Sequence, residues 1–319
     1  MSSIGVNFSN TFQSDPIAPQ TAAAQIQSAG ITSVKMFNYS QSDFLQAARS
    51  KDLKVLVGVP NDELSALANG QTSKLLEAIQ QYSGTITTVC VGNEPLGAWW
   101  NGQFNSFVVP AITNVYNAIQ AASLNIKVTI PFNYSIMGNS YPPSAGSFNP
   151  SLLNIIVGVC DVIRKSGSEF MVNIYPYLVR LSNQADVPLD YCLFTAGPDH
   201  WVHDGKNTYK NIFSASYDAL SVALAKNGFG NLPIVVGECG WPTAGGTDAS
   251  IANAETFNQN LVRYCESGAG TPRVPNKKIA CYLFEMYDED RKSTDPGAFE
   301  THWGVYSAAG SAKYPLSFS

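Results

Sequence analysis

The chain has 319 residues, which is long for an average domain but ordinary for a (β/α)8 barrel of ~250 residues plus insertions. Hydrophobic residues make up 45%, enough for a large core, while charged residues are only 13%, against a usual share of ~25%. A net charge of −5 with no basic patch gives no attraction to nucleic acid or to an anionic membrane, and the chain lacks the roughly 18-residue apolar run of a transmembrane helix.

In chain order, strand-like apolar runs are expected at Ile4–Phe8, Ser33–Phe37, Lys54–Pro60, Thr87–Pro95, Lys127–Asn133, Glu169–Tyr177, Leu232–Trp241 and Lys278–Glu289. Helical segments fall between them, at Thr21–Ala29, Asp43–Ser50, Asp62–Ala68, Ser73–Tyr82, Asn105–Ala122, Ser151–Val159, Ile212–Asn227 and Asn253–Glu266. The strands are continuously apolar rather than alternating, as in Val55-Leu56-Val57 and Ile234-Val235-Val236, which fits strands covered on both faces. Eight such strands alternating with helices predict a parallel sheet closed into a (β/α)8 TIM barrel. Gly30 is placed to end the first helix as a C′ glycine, and Asn61-Asp62 to begin another with an N-cap. After the sixth strand comes a long connection, Leu178–Asn231, whose first part to about Asn211 has little helical pattern and carries His200, Trp201 and His203. An extended excursion at that position builds one wall of a cleft on the active face. With no internal repeat, low-complexity stretch or linker, residues 1–319 read as one domain.

The six cysteines, Cys90, Cys160, Cys192, Cys239, Cys265 and Cys281, match no zinc spacing, and a core of this size needs no disulfides. Most are expected as buried thiols, with a Cys160–Cys192 bridge left open.

Two glutamates stand out. The fourth strand ends Val91-Gly92-Asn93-Glu94-Pro95, and the seventh ends Val236-Gly237-Glu238-Cys239-Gly240-Trp241. Residues at the C-terminal ends of barrel strands point into the mouth, and strands four and seven face one another across it. Two carboxylates are the minimum kit for glycoside hydrolysis: one ionised nucleophile and one protonated acid, the acid's pKa lifted from about 4.3 toward ~6 by burial or by its partner's charge. A solvated strand end is the bland alternative for either glutamate alone; two at matching strand ends argue against it.

These segments resemble glycoside hydrolase family 17, the β-1,3-glucanases and related glucan transferases. The resemblance runs nearly end to end, through Ile4-Gly5-Val6-Asn7-Phe8, Gly58-Val59-Pro60-Asn61, Val91-Gly92-Asn93-Glu94, Tyr141-Pro142-Pro143-Ser144, Asn173-Ile174-Tyr175-Pro176-Tyr177, Glu238-Cys239-Gly240-Trp241-Pro242-Thr243, Tyr282-Leu283-Phe284 and Lys313-Tyr314. It implies a single catalytic barrel with a retaining mechanism, Glu94 as acid/base and Glu238 as nucleophile. It also implies supporting roles for Asn93 on the sugar 2-hydroxyl and for Glu289, Lys292 and Glu300 around the nucleophile and the sugar hydroxyls, with Asn173 among the substrate-binding residues. A lysine among those carboxylates limits like-charge repulsion.

Sugar rings offer apolar faces to aromatic platforms. The candidates are Trp99 and Trp100, Tyr175 and Tyr177, Trp201, Trp241, Tyr287 and Trp303, with core packing as the alternative reading for each. Trp99 and Trp100 are adjacent, so at least one is expected to be exposed. Phe37 stands where the family often carries tyrosine, Gly237 and Cys239 flank the nucleophile where plant members usually carry serines, and the stretch after Glu94 is unlike the plant form; together these suggest a source outside flowering plants. The sequons at Asn7, Asn38 and Asn133 lie at strand ends where a glycan would block the cleft, and are expected to be unmodified.

The reading is therefore an endo-β-1,3-glucanase acting as a monomer on β-glucan, without cofactor or metal, and extracellular with its leader absent. A β-1,3-glucan transglycosylase using the same residues is the alternative, and a sister-family β-1,4-glucanase or a non-catalytic glucan-binding protein fits less well.

Overall fold

The computed structural model describes residues 3–318. Its main sheet is built from β1 (Ile4–Phe8), β2 (Ser33–Met36), β3 (Lys54–Val59), β4 (Ile86–Val91), β5 (Lys127–Thr129), β6 (Pro131–Asn133), β9 (Phe170–Asn173), β12 (Ile234–Cys239) and β13 (Ala280–Leu283). The short pairs β7 (Met137–Asn139) with β8 (Ser147–Phe148), and β10 (Val202–Asp204) with β11 (Asn207–Tyr209), form hairpins outside it. All pairings in the main sheet are parallel, in the order β5-β4-β3-β2-β1-β13-β12-β9-β6. The two end strands are halves of one run interrupted at Ile130: β5 pairs with β4, and β6 with β9. The sheet thus closes on itself as a barrel of the predicted (β/α)8 type.

Helices α1 (Pro19–Ser28), α2 (Ser42–Ser50), α3 (Leu64–Ala68), α4 (Ser73–Gln81), α5 (Asn105–Ala121), α6 (Leu153–Ser166), α7 (Pro176–Ser182), α8 (Leu189–Cys192), α9 (Ile212–Lys226) and α10 (Ile251–Glu266) surround it. The core divides at the barrel wall. Val55, Val57, Val89 and Val236 face outward into the main core beneath the helices. Their neighbours Leu56, Cys90, Met171, Val235 and Tyr282 form a second cluster that fills the barrel interior. Gly5 makes room for this filling, since a Cβ there would lie 2.4 Å from the Tyr282 ring. The site therefore rests on a packed floor rather than a pore.

Several expected elements end sooner than their apolar runs. The sixth barrel strand stops at Asn173, because Pro176 opens α7 at its first position, where a missing N–H is harmless. Tyr177 consequently lies on a helix. Gly30 ends α1 as expected, at φ 81° with its N–H on Gln27 O. Asn61 does not cap the following helix. Its side chain instead holds the backbone of Asn93, with Nδ2 donating to Asn93 O and Oδ1 accepting from Asn93 N–H, both at 2.8 Å.

The excursion after β9 contains α7, α8 and the β10–β11 hairpin. It is tied back by the Arg180–Asp248 ion pair at 2.8 Å and by Ser144, whose N–H and hydroxyl donate to Asp204 at 2.6 and 2.7 Å. The six cysteines are free and buried, Cys160 and Cys192 included, so the bridge left open between them is not formed. Among the described residues no helix is long and apolar enough to cross a membrane.

Candidate active site

Glu94 sits at the end of β4 on a backbone that L-residues seldom adopt, φ 49°, just after Gly92 at φ 81°. Three contacts hold it there: the Asn61 clasp on Asn93, the Glu94 N–H on Pro131 O at 2.8 Å, and the Gly97 N–H on Glu94 O at 3.0 Å. Gly92 is required as well as tolerated, because a Cβ would lie 2.8 Å from Asn61 Oδ1. The Glu94 carboxyl accepts two amide N–H bonds on the same oxygen, Oε1, from Asn173 Nδ2 at 2.8 Å and Asn133 Nδ2 at 3.1 Å.

Glu238 reaches the mouth through an irregularity in β12. The register against β9 shifts between Val236 and Glu238, a bulge centred on Gly237 that re-aims the next side chain. Its surroundings differ from those of Glu94. Lys35 Nζ lies 2.7 Å from Glu238 Oε1, with side-chain exposures of 1% and 6%, and Tyr175 Oη donates to Oε2 at 2.7 Å. Lys35 also donates to Asn7 Oδ1 at 3.2 Å. The amide of Asn7 in turn donates to the carbonyls of Gly237, Tyr282 and Leu283 at 3.1–3.2 Å. The cation is thereby locked, through Asn7, to the nucleophile's own strand and to the neighbouring β13.

The two glutamates are electrostatically unlike. Burial first, and the charge of Glu238 second, raise Glu94 from 4.5 to about 7, although the Asn173 and Asn133 amides and the Lys35 charge pull it down. Glu238 keeps a cation and a phenol against its oxygens, and the Tyr175 hydroxyl is pushed well above 10, by burial and then by the Glu238 charge, so it remains a donor. One carboxyl is paired with a cation and a phenol while the other holds a proton near neutrality.

An aromatic floor connects the two. Phe284, directly after β13, packs edge-on against Phe37, Tyr175 and Trp303 at centroid distances of 6.3, 5.8 and 5.7 Å. Gly240 admits it: a Cβ there would lie 1.8 Å from Phe284 O. Lys292 Nζ sits 4.7 Å above the Phe284 ring and 3.2 Å from Glu300. Lys35 takes the corresponding place 4.0 Å over Phe37.

Comparison with known proteins identifies the family. The family model described as glycosyl hydrolases family 17 matches residues 4–318. The chain belongs to that family. It is 37% identical over 99% of its length to a glucan endo-1,3-beta-glucosidase of Vitis vinifera, of which it covers 92%. It is 36% identical over 98% of its length to glucan endo-1,3-beta-glucosidase 5 of Arabidopsis thaliana, spanning 66% of that longer protein. Among solved structures it superposes with a TM-score of 0.94, at 34% identity and 99% coverage of both chains, on CJP38, described as a beta-1,3-glucanase and allergen of Cryptomeria japonica pollen.

The structure brings Glu94, Glu238, Asn173, Tyr175 and Phe37 together and groups Glu289, Lys292 and Glu300 beside them. It corrects other expectations. Trp241 is fully buried, packing on Tyr177 and Phe257 and donating its indole N–H to Asp248 O at 3.0 Å, so it offers no face to a sugar. Tyr177 is likewise fully buried, against Trp241, Phe299 and Trp303, and Trp303 is buried too. These rings form a layer under the mouth because α7 turns Tyr177 inward. Asn173 is 1% exposed and reaches Glu94. Tyr175 packs its ring on Phe284 and Trp303 while its hydroxyl serves Glu238. Of the tryptophan pair, Trp99 is 54% exposed and Trp100 packs on Phe104. Tyr287 is buried beside Phe8. Asn93 keeps a buried Oδ1 without a protein partner.

Sequence reasoning missed Lys35, although the signal was present: a lone cation between Val34 and Met36 in an apolar strand must be paired once buried. Glu285 was not among the expected site residues either. It is fully buried with neither carboxylate oxygen bonded, and burial, then Glu289, drives its pKa well above 4.5.

Two outcomes follow from this electrostatic arrangement. Carbon-13 NMR of a glutamate-labelled protein is expected to show one carboxyl, assigned by its loss in Glu94→Gln, titrating near 7. Glu238→Gln removes one of the charges that raise it, so that resonance should titrate at lower pH; an unmoved midpoint would show that the two carboxyls do not communicate. Lys35→Met strips a buried anion of its counter-ion, and breaking such a pair is expected to cost about 3–5 kcal/mol of unfolding free energy, read by denaturant titration.

Proposed function

We propose that the chain hydrolyses β-1,3-linked glucan internally and with net retention, Glu238 acting as nucleophile and Glu94 as general acid and then base. The observation that carries this reading is the opposed environment of two glutamates at one barrel mouth. In the first displacement a Glu238 oxygen bonds to the anomeric carbon as the glycosidic C–O bond breaks, and the departing oxygen takes the Glu94 proton. In the second, Glu94, now ionised, removes a proton from water, whose oxygen displaces Glu238 from the anomeric carbon. Lys35 and Tyr175 hold the nucleophile's oxygens, so its charge is oriented before substrate arrives. Asn93, next to the acid, is assigned to the sugar 2-hydroxyl, and Glu289, Lys292 and Glu300 receive further hydroxyls.

The names of the Vitis and Arabidopsis relatives support a β-1,3-glucan substrate, and the sparse charge of the chain suits a neutral polymer. Trp99 and Tyr141, exposed by 54% and 69%, lie in the segments after β4 and β7 and offer ring faces for sugars further along the chain. Such a polymer lies outside the cell, where this reading places the protein.

Digests of laminarin, lichenan and cellulose, with anomers followed by proton NMR, test the proposal. Laminarin is expected to be cut fastest, with β-anomer appearing first. Glu238→Ala is expected to lose roughly 10^4-fold or more in kcat while still binding laminarin in affinity electrophoresis. A first-formed α-anomer, or near-normal turnover by Glu238→Ala, would sink the assignment. Products longer than the starting oligosaccharide would instead indicate that a sugar hydroxyl intercepts the intermediate.

A further inference from the structure

Asn133 and Asn173 are paired in register across β6 and β9, and Asn173 is paired with Glu238 across β9 and β12. The three side chains therefore form a row along one level of the barrel mouth. Both amides meet the acid at the same atom, Glu94 Oε1. The Asn133 amide has only one orientation available to it. Its Oδ1 caps the following turn, accepting the Ser135 backbone N–H at 2.9 Å, so the group facing Glu94 must be the NH2. An oxygen that accepts two N–H bonds cannot itself carry a proton in that direction.

We propose that Asn133 is a positioning residue for the acid: with Asn173 it fixes Glu94 Oε1 as the acceptor oxygen and confines the transferable proton to Oε2. The assignment rests on Glu94 being the general acid. Ser135 fixes Asn133, Asn133 fixes the acid's protonation geometry, and the Glu94 backbone is held independently by Pro131 O, two residues before Asn133. The two donors also favour the ionised carboxylate, opposing the burial that raises it. The charged and titratable groups facing Glu94 are Glu238 from β12, Lys35 from β2 and the Tyr175 hydroxyl beyond β9. The first raises the acid's pKa and Lys35 lowers it. Removing an amide donor leaves these in place, so the acid's pKa must rise.

The experiment compares kcat/KM against pH for wild type, Asn133→Leu and Asn133→Asp on two substrates. One is laminarin, whose leaving group needs protonation. The other is a dinitrophenyl β-laminaribioside, whose leaving group departs without it. Asn133→Leu keeps the volume without the donor, and Asn133→Asp keeps the oxygen that caps Ser135. On laminarin Asn133→Leu is expected to move the alkaline limb upward by about one unit, the size of one carboxylate hydrogen bond, and Asn133→Asp is expected to move it further, because it also sets a like charge beside Glu94. Both are also expected to lose at least tenfold in kcat/KM on laminarin at the pH optimum, while staying within twofold of wild type on the activated substrate. An unmoved limb in both variants, or equal losses on both substrates, would overturn the role. Glu94→Gln in the same assay separates this from failure of the acid assignment itself: it must lose laminarin hydrolysis and retain glycosylation by the activated substrate, and if it does not, the acid reading falls first.

Discussion

The mouth of this barrel is organised around a buried ion pair. Lys35 and Glu238 are 2.7 Å apart with almost no exposure on either side. Removing two charges from water costs several kcal/mol for each, and their attraction offsets this only when the remaining lone pairs and protons are satisfied. Here they are: Tyr175 takes the second carboxylate oxygen and Asn7 takes the lysine. The pair also crosses the sheet. β2 and β12 are separated by β1 and β13 in the strand order, so the contact depends on the curvature of the sheet and on the β1–β13 pairing that joins the first barrel strand to the last. Asn7 sits between them on β1, with its amide on the carbonyls of the two strands beyond. Tertiary structure and a prepared nucleophile are thus the same set of bonds.

The acid's character is partly a consequence of that pair. Glu94 is a chemically identical side chain, placed without a cation at bonding distance and surrounded by neutral amides. Its pKa rises through burial and through the charge of Glu238. Neither glutamate is specialised by its own strand; each is specialised by what its neighbours present. The unfavourable φ of Glu94 fits this picture, because the conformation is over-determined by Asn61, Gly92 and Pro131 rather than chosen by the residue.

The parts legible in the sequence are those in which local pattern and global role coincide. Continuously apolar strands announce a sheet covered on both faces, and a glutamate closing such a run announces the mouth. Pairing across the barrel is not local, so Lys35 showed only as an anomaly in an apolar run, and Asn61 resembled a helix cap while serving the neighbouring strand end. Aromatic residues after strand ends were the least readable. Trp99 and Trp241 occupy equivalent places in the pattern, yet one is exposed and the other lies beneath the site against Tyr177 and Phe257. Periodicity gives the face of a strand but not the path of the loop that follows, and Pro176 decided that path for Tyr177 by starting a helix.

The eighth barrel strand extends the same electrostatic logic outward. Burial alone would lower the pKa of Lys292, but Glu285, Glu300, Glu289 and Glu238 together outweigh it and keep the ammonium charged. Glu285 itself is driven upward, by its own burial and then by Glu289. Lys292 has Glu300 as its direct ion-pair partner, over the ring of Phe284. Two lysines thus lie over neighbouring rings at the mouth, Lys35 over Phe37 and Lys292 over Phe284, and those two rings touch edge to face. A cation bound above each ring fixes that ring's place as well as its own, so the aromatic floor and the charge above it stabilise one another. A site built this way can hold a neutral polymer against apolar faces while the field at the nucleophile is set by residues that the sugar need not displace.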